Sequence, residues 1–120
     1  MMKFERLDVW QHGLGIMRSV HALADAFPDK ERFVLTTQIK RAADSICLNI
    51  AEGSQGTTDP EQARFLGIAL RSAIEVIACL HLGRERGFIS EDKFSEVYRE
   101  TETLIKMLQA FRRRLNSKPS

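Results

Sequence analysis

The sequence predicts an all-α protein: an antiparallel, up-down-up-down four-helix bundle that assembles into a homo-oligomer. Apolar residues recur three and four positions apart in four long segments, which is the spacing of one helix face and not the alternation of a strand. Glycine and proline fall at a few places between these segments, so they mark short connections. The third segment is apolar almost all round, which indicates that it is buried on more than one side.

Chain length and composition indicate the size and the cellular location of this protein. A chain of 120 residues is a single domain, 1–120, long enough to bury one core. Only Cys47 and Cys79 are present, too few and too far apart for a metal or redox motif. We see neither a charged-then-apolar leader nor a span of about 18 apolar residues, and therefore expect a cytoplasmic protein that does not enter a membrane.

The first helix is predicted over residues 9–26. Asp8 is placed to cap its start, and Phe27 followed by Pro28 ends it. Its apolar side chains form two adjoining rows, where a half-exposed helix needs only one. One row holds Trp10, Leu14, Met17, His21 and Ala24, and the other holds Val9, Gly13, Ile16, Val20, Leu23 and Phe27.

The second helix is predicted over residues 35–51, along an apolar row from Leu35 to Ile50. Gly53 is placed to take the left-handed conformation that closes a helix. Asp59 then supplies a cap for the next helix and Pro60 its first position. The stretch between them is therefore a corner between two helices. It has flexible amides but lacks the lysine of a phosphate-binding loop.

The third helix is predicted over residues 60–86, and it carries more apolar surface than its own bundle can cover. Only a narrow strip through Arg64, Arg71, Glu75 and Glu85 is clearly polar. Apolar surface of this extent favours burial against another subunit. The residues predicted for this oligomer interface are Phe65, Ile68, Ile74, Ile77 and Leu82.

The fourth helix is predicted over residues 91–115. Gly87 with Phe88 fits a glycine C-cap, and Ser90 before two acidic residues opens the new helix. A strict three-four spacing is typical of coiled-coil-like packing. It runs through Phe94, Val97, Thr101, Leu104, Leu108, Phe111 and Leu115.

Several of these segments carry a resemblance to a known family. "FERLDVWQ", "FPDKERFVLTTQIKRAADSICLNIAEG", "ARFLGIALRSAIEV" and "RGFISEDKF" resemble, in order and spacing, the four-helix-bundle proteins encoded by intervening sequences of bacterial 23S ribosomal RNA genes. The likeness runs from Phe4 to about Leu115. The accessory variability determinant of diversity-generating retroelements is similar.

The resemblance implies a ring-like homo-oligomer and two kinds of partner. Relatives look like homopentamers around a central channel, and in the accessory variability determinant the basic barrel binds nucleic acid and a reverse transcriptase. The chain departs from the pattern at Cys47, Leu48 and His21. It also has Gln55-Gly56-Thr57-Thr58 where many relatives carry a basic residue, which weakens any phosphate role for this loop.

Catalytic chemistry is not indicated by the sequence. There is no Glu-x-x-His pair of the kind that di-iron bundles use. Cys47 and Cys79 lie among apolar neighbours, where a thiol stays protonated. We expect His21 to be a hydrogen-bonded core or interface residue. We therefore expect no catalytic residue, no metal site and no cofactor.

Basic side chains are the remaining candidates for function. Residues 61–120 hold 11 Lys and Arg against 8 Asp and Glu, and five basic residues but no acidic one follow Glu102. Repeated around a ring, such clusters would bind RNA or DNA through phosphates, although basic residues in a last turn also complement the helix dipole. The predicted nucleic-acid-binding residues are Lys40, Arg41, Arg64, Arg71, Arg112, Arg113 and Arg114.

We expect structural roles for Asn49, Glu52 and Gly53 at the end of the second helix. The carboxylate of Glu52 would accept a hydrogen bond from Arg41, from a backbone group or from a neighbouring subunit. Trp10 and Tyr98 are interpreted as packing residues, so no aromatic platform accompanies the basic clusters. The alternative to nucleic-acid binding is a protein-interaction module that docks a partner enzyme, such as a reverse transcriptase, on the assembled ring.

Overall fold

Four helices form the protein in a computed structural model, which describes residues 1–56 and 58–117. They are α1 (Asp8–Asp25), α2 (Leu35–Gly53), α3 (Asp59–Glu85) and α4 (Glu91–Asn116). Two short 3₁₀ turns, Lys3–Arg6 and Asp29–Glu31, precede α1 and α2. The described residues contain no strand, so the predicted all-α four-helix fold is confirmed.

The helices pack as an elongated bundle of 49 × 22 × 21 Å. Each helix contacts its neighbours in the chain, and α1 also contacts α4, which gives the up-down-up-down order expected from short connections. The predicted seam of α4 is observed, because six of its seven residues are buried and Phe111 is half-buried. The predicted row from Val9 to Phe27 is buried except for the half-buried Leu23, and the row that starts at Trp10 is half-buried except for the buried Ala24.

The connection between α3 and α4 confirms the predicted glycine cap. Gly87 has φ +79°, and its N–H donates to Arg84 O at 3.0 Å. The N–H of Phe88 donates to Gly83 O at 2.9 Å, which completes a Schellman motif. Ser90 then caps α4 by accepting from the N–H of Lys93 at 3.2 Å.

The corner between α2 and α3 differs from the prediction at both ends. Gly53 is not left-handed, because α2 continues through it and Gly56 has the positive φ of +69°. What requires glycine at 53 is space, since a Cβ there would lie 2.8 Å from the Cβ of Phe65. Thr58, not Asp59, caps α3 by accepting from the N–H of Glu61 at 3.3 Å. Thr57 of the proposed loop lies outside the described residues.

The start of α1 also differs from the prediction. Leu7, in an extended conformation, is the N-cap, and Asp8 is the first helical residue. An acidic side chain in the first turn still favours the helix through its dipole. The cap prediction was therefore wrong by one residue, because the 3₁₀ turn before α1 leads directly into the helix.

Helix α3 corrects the expectation that no segment resembles a membrane span. It is long and apolar enough to cross a bilayer by length and composition. In the bundle, however, ten of its residues are buried against the other helices. A core helix of a soluble protein passes the same test, and the compact bundle favours that interpretation.

Candidate nucleic-acid and assembly surfaces

The predicted basic residues of α2 line a groove between α1 and α2. Lys40 and Arg41 border this cavity of about 530 Å³. The Nζ atom of Lys40 pairs with Asp25 at 2.5 Å, which lowers the pKa of the exposed Asp25 carboxyl. Arg41 is exposed, and no ion pair to it occurs within residues 1–56 and 58–117. Of these two cations, Arg41 is the one available to a phosphate.

The same groove holds His21. Its Nε2 atom lies 2.9 Å from Oδ1 of Asp44, and this contact joins α1 to α2. The imidazole is about one-third exposed. The prediction of a hydrogen-bonded residue at a helix interface is confirmed, with Asp44 as the partner.

The two predicted arginines of α3 differ in their contacts. Arg64 donates to Oε1 of Glu61 at 2.6 Å and lies over the ring of Phe65 at 4.5 Å. The hydrogen bond raises the pKa of Arg64 and lowers that of Glu61, although both groups face solvent. Arg71 is exposed and makes no ion pair in the described part of the chain. Arg71 is therefore the freer of the two.

The three arginines that end α4 have three different environments. The Nε atom of Arg112 donates to Ala63 O at 3.1 Å, and its guanidinium lies 3.2 Å from the position of a Cβ on Gly67. Arg113 is exposed. Arg114 lies 5.3 Å from the ring centre of Phe111 and borders a cavity of about 420 Å³. Arg112 thus joins α4 to α3, whereas Arg113 faces solvent.

A small polar network surrounds Asn49 where α2 meets α3. Its Nδ2 atom donates to Ser45 O at 2.8 Å and to Ser45 Oγ at 3.1 Å. The Ser45 hydroxyl lies 2.8 Å from that of Ser72 on α3. Ser72 also donates back to Ile68 O at 3.1 Å. Asn49 therefore supports the contact between the two helices through Ser45.

Glu52 lies at the end of α2 with its side chain exposed. Arg41 is eleven residues earlier on the same helix, or about 16 Å along the axis, so the proposed pair within one protomer cannot form. No side-chain partner of Glu52 occurs among the described residues. A contact with a neighbouring subunit stays a prediction.

The residues predicted for the oligomer interface all reach solvent. Ile74 is 53% exposed and Leu82 is 44% exposed, while Phe65, Ile68 and Ile77 are half-buried. The other large apolar side chains exposed in the described chain are the N-terminal Met1 and Met2, and Phe33, Val34 and Leu48 in or before α2. None lies on α1 or α4. The most exposed large apolar side chains of the described chain therefore lie on α2, on α3, in the segment leading into α2 and at the N-terminus, while those on α1 and α4 are buried or half-buried.

Both thiols are free and buried. Burial, with a smaller effect of a nearby carboxylate, raises the pKa of Cys47 to about 11 and that of Cys79 to about 11. This agrees with the protonated thiols expected from the sequence. Within residues 1–56 and 58–117, no group of three or more potential metal ligands comes together.

One group of side chains was missed by the sequence analysis. Tyr98, interpreted as a packing residue, is half-buried and borders a cavity that also contains His81 and two arginines. The i, i+4 spacing of Phe94 and Tyr98 was a signal for part of it. The rest depends on the register between α3 and α4, which spacing alone does not give.

The comparisons with known proteins agree with this fold. A family model described as 23S rRNA-intervening sequence protein matches residues 5–110. A similar solved structure is a protein of unknown function from the S23 ribosomal protein family of Bacteroides thetaiotaomicron VPI-5482. The match has a TM-score of 0.81 and 24% identity, and covers 88% of this chain and 95% of the other. No curated protein matches the chain.

Proposed function

The chain belongs to the 23S rRNA-intervening sequence protein family, and we propose that it is a non-catalytic scaffold formed by several copies of itself. The observation that carries the proposal is the exposure of Ile74 and Leu82 on α3. They lie eight residues apart and so share one side of the helix, with Ala78 between them also exposed. A second copy that covered this side would remove apolar surface from water.

Ile74 and Leu82 are each about half exposed, so covering both contributes about as much as fully burying one large aliphatic side chain, roughly 1.5–3 kcal/mol. Association costs more than this, so a stable contact also has to cover the half-buried Phe65, Ile68 and Ile77. The five-membered ring that the resemblance implies is our expected stoichiometry, and such a ring is built from contacts between two different surfaces of each copy. We place this scaffold in the cytoplasm, where its two free thiols would stay reduced.

A charge introduced at the proposed contact tests the assembly. Ile74→Glu would place a carboxylate in the interface, where burying an unpaired charge is costly. We expect the native mass, measured by light scattering, to fall to that of the 13.7 kDa protomer. Gln109→Glu, on the exposed side of α4, is the control and should leave the mass unchanged. Equal masses for the two variants would contradict the proposed contact.

We further propose that the assembled scaffold binds RNA or DNA through phosphates. Arg41, Arg71 and Arg113 support this function, because each is exposed and none makes an ion pair within the described residues. Repetition in each copy would add avidity to weak individual contacts. Binding of this kind weakens steeply with salt and has little sequence preference.

Paired substitutions test the phosphate contacts. Arg41→Ala with Arg71→Ala should abolish retention on RNA or DNA at low salt. Lys30→Ala with Lys106→Ala removes the same charge from exposed positions elsewhere and should change retention little. Retention that is insensitive to salt, or equal losses in both pairs, would contradict a specific role for Arg41 and Arg71.

A protein partner is the second candidate, favoured by the same apolar surface. In this case the part of the apolar surface that other copies leave uncovered on the assembled ring would dock an enzyme such as a reverse transcriptase, the partner suggested by the similar accessory variability determinant. Co-purification of one defined protein after nuclease treatment, lost in Ile74→Glu but kept in Gln109→Glu, would support this alternative. Loss of all bound material on nuclease treatment would contradict it.

A further inference from the structure

A pocket of about 330 Å³ lies between the end of α3 and the beginning of α4, away from the basic residues considered above. It is a shallow depression that is open to solvent, so a ligand in it would remain partly exposed. Three of its side chains carry rings and two carry guanidinium groups. The lining residues are His81, Arg84, Phe94, Ser95, Tyr98 and Arg99.

The rings form a cluster with one buried and two accessible members. Phe94 is only 7% exposed and lies deepest. The Tyr98 ring lies 5.5 Å from it at a tilt of 36°, and the His81 ring lies 5.0 Å from it, nearly edge-on at 70°. Tyr98 is half-buried and His81 is exposed. Both therefore offer ring surface to a ligand in the pocket.

Two arginines line the pocket, and they differ in how far their charge is already compensated. The guanidinium of Arg84 lies 3.8 Å from the ring centre of Phe94, with its Nη1 atom 3.6 Å from Oε2 of Glu91 and its Nη2 atom 3.4 Å from Nδ1 of His81. Arg99 is exposed, and its Nε atom donates to Ser95 O at 3.3 Å. No acidic residue lines the pocket. Arg99 thus retains the other nitrogens of its guanidinium for an anion.

Rings and arginines in one pocket match a ligand that has both a flat ring and a negative group. We propose that this pocket binds a nucleotide, with the base against Tyr98 and His81 and the phosphate on Arg99 and Arg84. Aromatic rings and guanidinium planes are the surfaces on which proteins stack unpaired bases. The free arginines Arg41 and Arg71 have no ring contact among the described residues, so they supply phosphate contacts alone.

The ligand is either a free nucleotide or one residue of a single strand, and in the second form the inference rests on the proposed nucleic-acid binding. The shared chemistry is a base joined to a sugar phosphate. Stacking of a base on an aromatic side chain strengthens binding by roughly 5- to 150-fold. A ligand without a base should therefore bind correspondingly more weakly.

The sole tyrosine of the chain gives a direct reporter. With 3-fluorotyrosine incorporated, Tyr98 is the single source of a fluorine NMR signal. We expect adenosine 5′-monophosphate to shift this signal, and ribose 5-phosphate at the same concentration to leave it in place. Tighter binding of short single-stranded oligoadenylate would assign the site to a strand, and equal binding would assign it to the free nucleotide. An unmoved signal with both adenine ligands would overturn the proposal.

Variants separate the ring from the charge. Tyr98→Leu should weaken adenosine 5′-monophosphate binding by about 5-fold or more, whereas Tyr98→Phe should retain it. Arg99→Ala should weaken binding, and Lys106→Ala, which removes the same charge from an exposed site on α4, should not. Both residues are exposed on α4, so neither substitution should disturb folding. Equal affinities of the two variants for adenosine 5′-monophosphate would contradict the proposal.

The Tyr98 experiment can fail or succeed separately from the test of the phosphate contacts on α2 and α3. Retention on RNA that requires Arg41 and Arg71, together with an unmoved Tyr98 signal, would refute the pocket and leave the proposed function intact. A shifted Tyr98 signal without salt-dependent retention on RNA or DNA would support the pocket and contradict the proposed nucleic-acid binding.

Discussion

Gly53 and Phe65 bring α2 and α3 so close together that a Cβ added to Gly53 would lie 2.8 Å from the Cβ of Phe65. The atom it would meet is fixed to the backbone of α3 and is not the end of a flexible side chain. The approach occurs beside the corner that joins the two helices. Gly53 therefore sets the distance between α2 and α3 at this end of the bundle.

We predict that Gly53→Ala destabilises the protein by about 1–3 kcal/mol, because the added methyl group forces the two helices apart. Urea unfolding followed by circular dichroism measures the change. Gly15→Ala is the control: it is also within a helix, and its Cβ would meet only Oε2 of Glu100 at 3.9 Å. That variant should be neutral or more stable by up to about 1 kcal/mol. A Gly53→Ala protein as stable as Gly15→Ala would contradict the close approach.

Arg112 is predicted to contribute to stability, unlike its neighbour Arg113. Arg112→Ala removes the hydrogen bond to Ala63 O and the packing on Gly67, so it should cost about 1–2 kcal/mol. Arg113→Ala removes an equal charge from an exposed position and should change the free energy of unfolding by less than about 0.5 kcal/mol. The same unfolding assay applies. Equal stabilities would show that the Arg112 contact is unimportant.

The buried thiols predict a decrease in stability at high pH. The folded protein holds Cys47 and Cys79 at a pKa of about 11, against an ordinary value of 9.0. Between these values the unfolded chain loses thiol protons that the folded chain keeps, so the free energy of unfolding falls as pH rises. Unfolding at pH values across this window measures the fall. A double variant, Cys47→Ala with Cys79→Ala, should show a shallower decrease, and an identical slope would contradict the assignment.

Local pattern predicted the four helices and the caps between α3 and α4, but it placed the N-caps of α1 and α3 one residue too late. Gly87 follows the last apolar position of its helix, and Ser90 precedes two acidic residues, so each cap could be identified from neighbouring residues. The seam of α4 needs only its own spacing. Gly53 has the same local pattern as Gly87, but its role is decided by Phe65, a contact between helices that spacing does not encode.

The functional surfaces were predictable only in part. The sequence shows that α3 has excess apolar surface, but only the packing shows that Ile74 and Leu82 are the most exposed of the predicted set. Arg112 resembles its neighbours in sequence, yet it alone reaches across to α3. The pocket beside Tyr98 combines residues from two helices, and its formation depends on their register.

The proposed assembly and the proposed nucleic-acid binding are linked through α3. Arg71 lies three residues before Ile74, and both are exposed. Residues three apart on a helix are neighbours, so a copy that covers Ile74 approaches Arg71 as well. Arg71 would then lie at the edge of the contact, where bound phosphates would bridge two protomers.

The native mass of the unmodified protein tests the central claim most directly. Light scattering on a sizing column, repeated at decreasing protein concentration, reports the mass without reference to shape. We predict a mass several times that of the 13.7 kDa chain, and five times it for the expected ring. A folded, helical particle of 13.7 kDa at micromolar concentration would show that the exposed surface of α3 needs no partner copy, and would contradict the proposed scaffold.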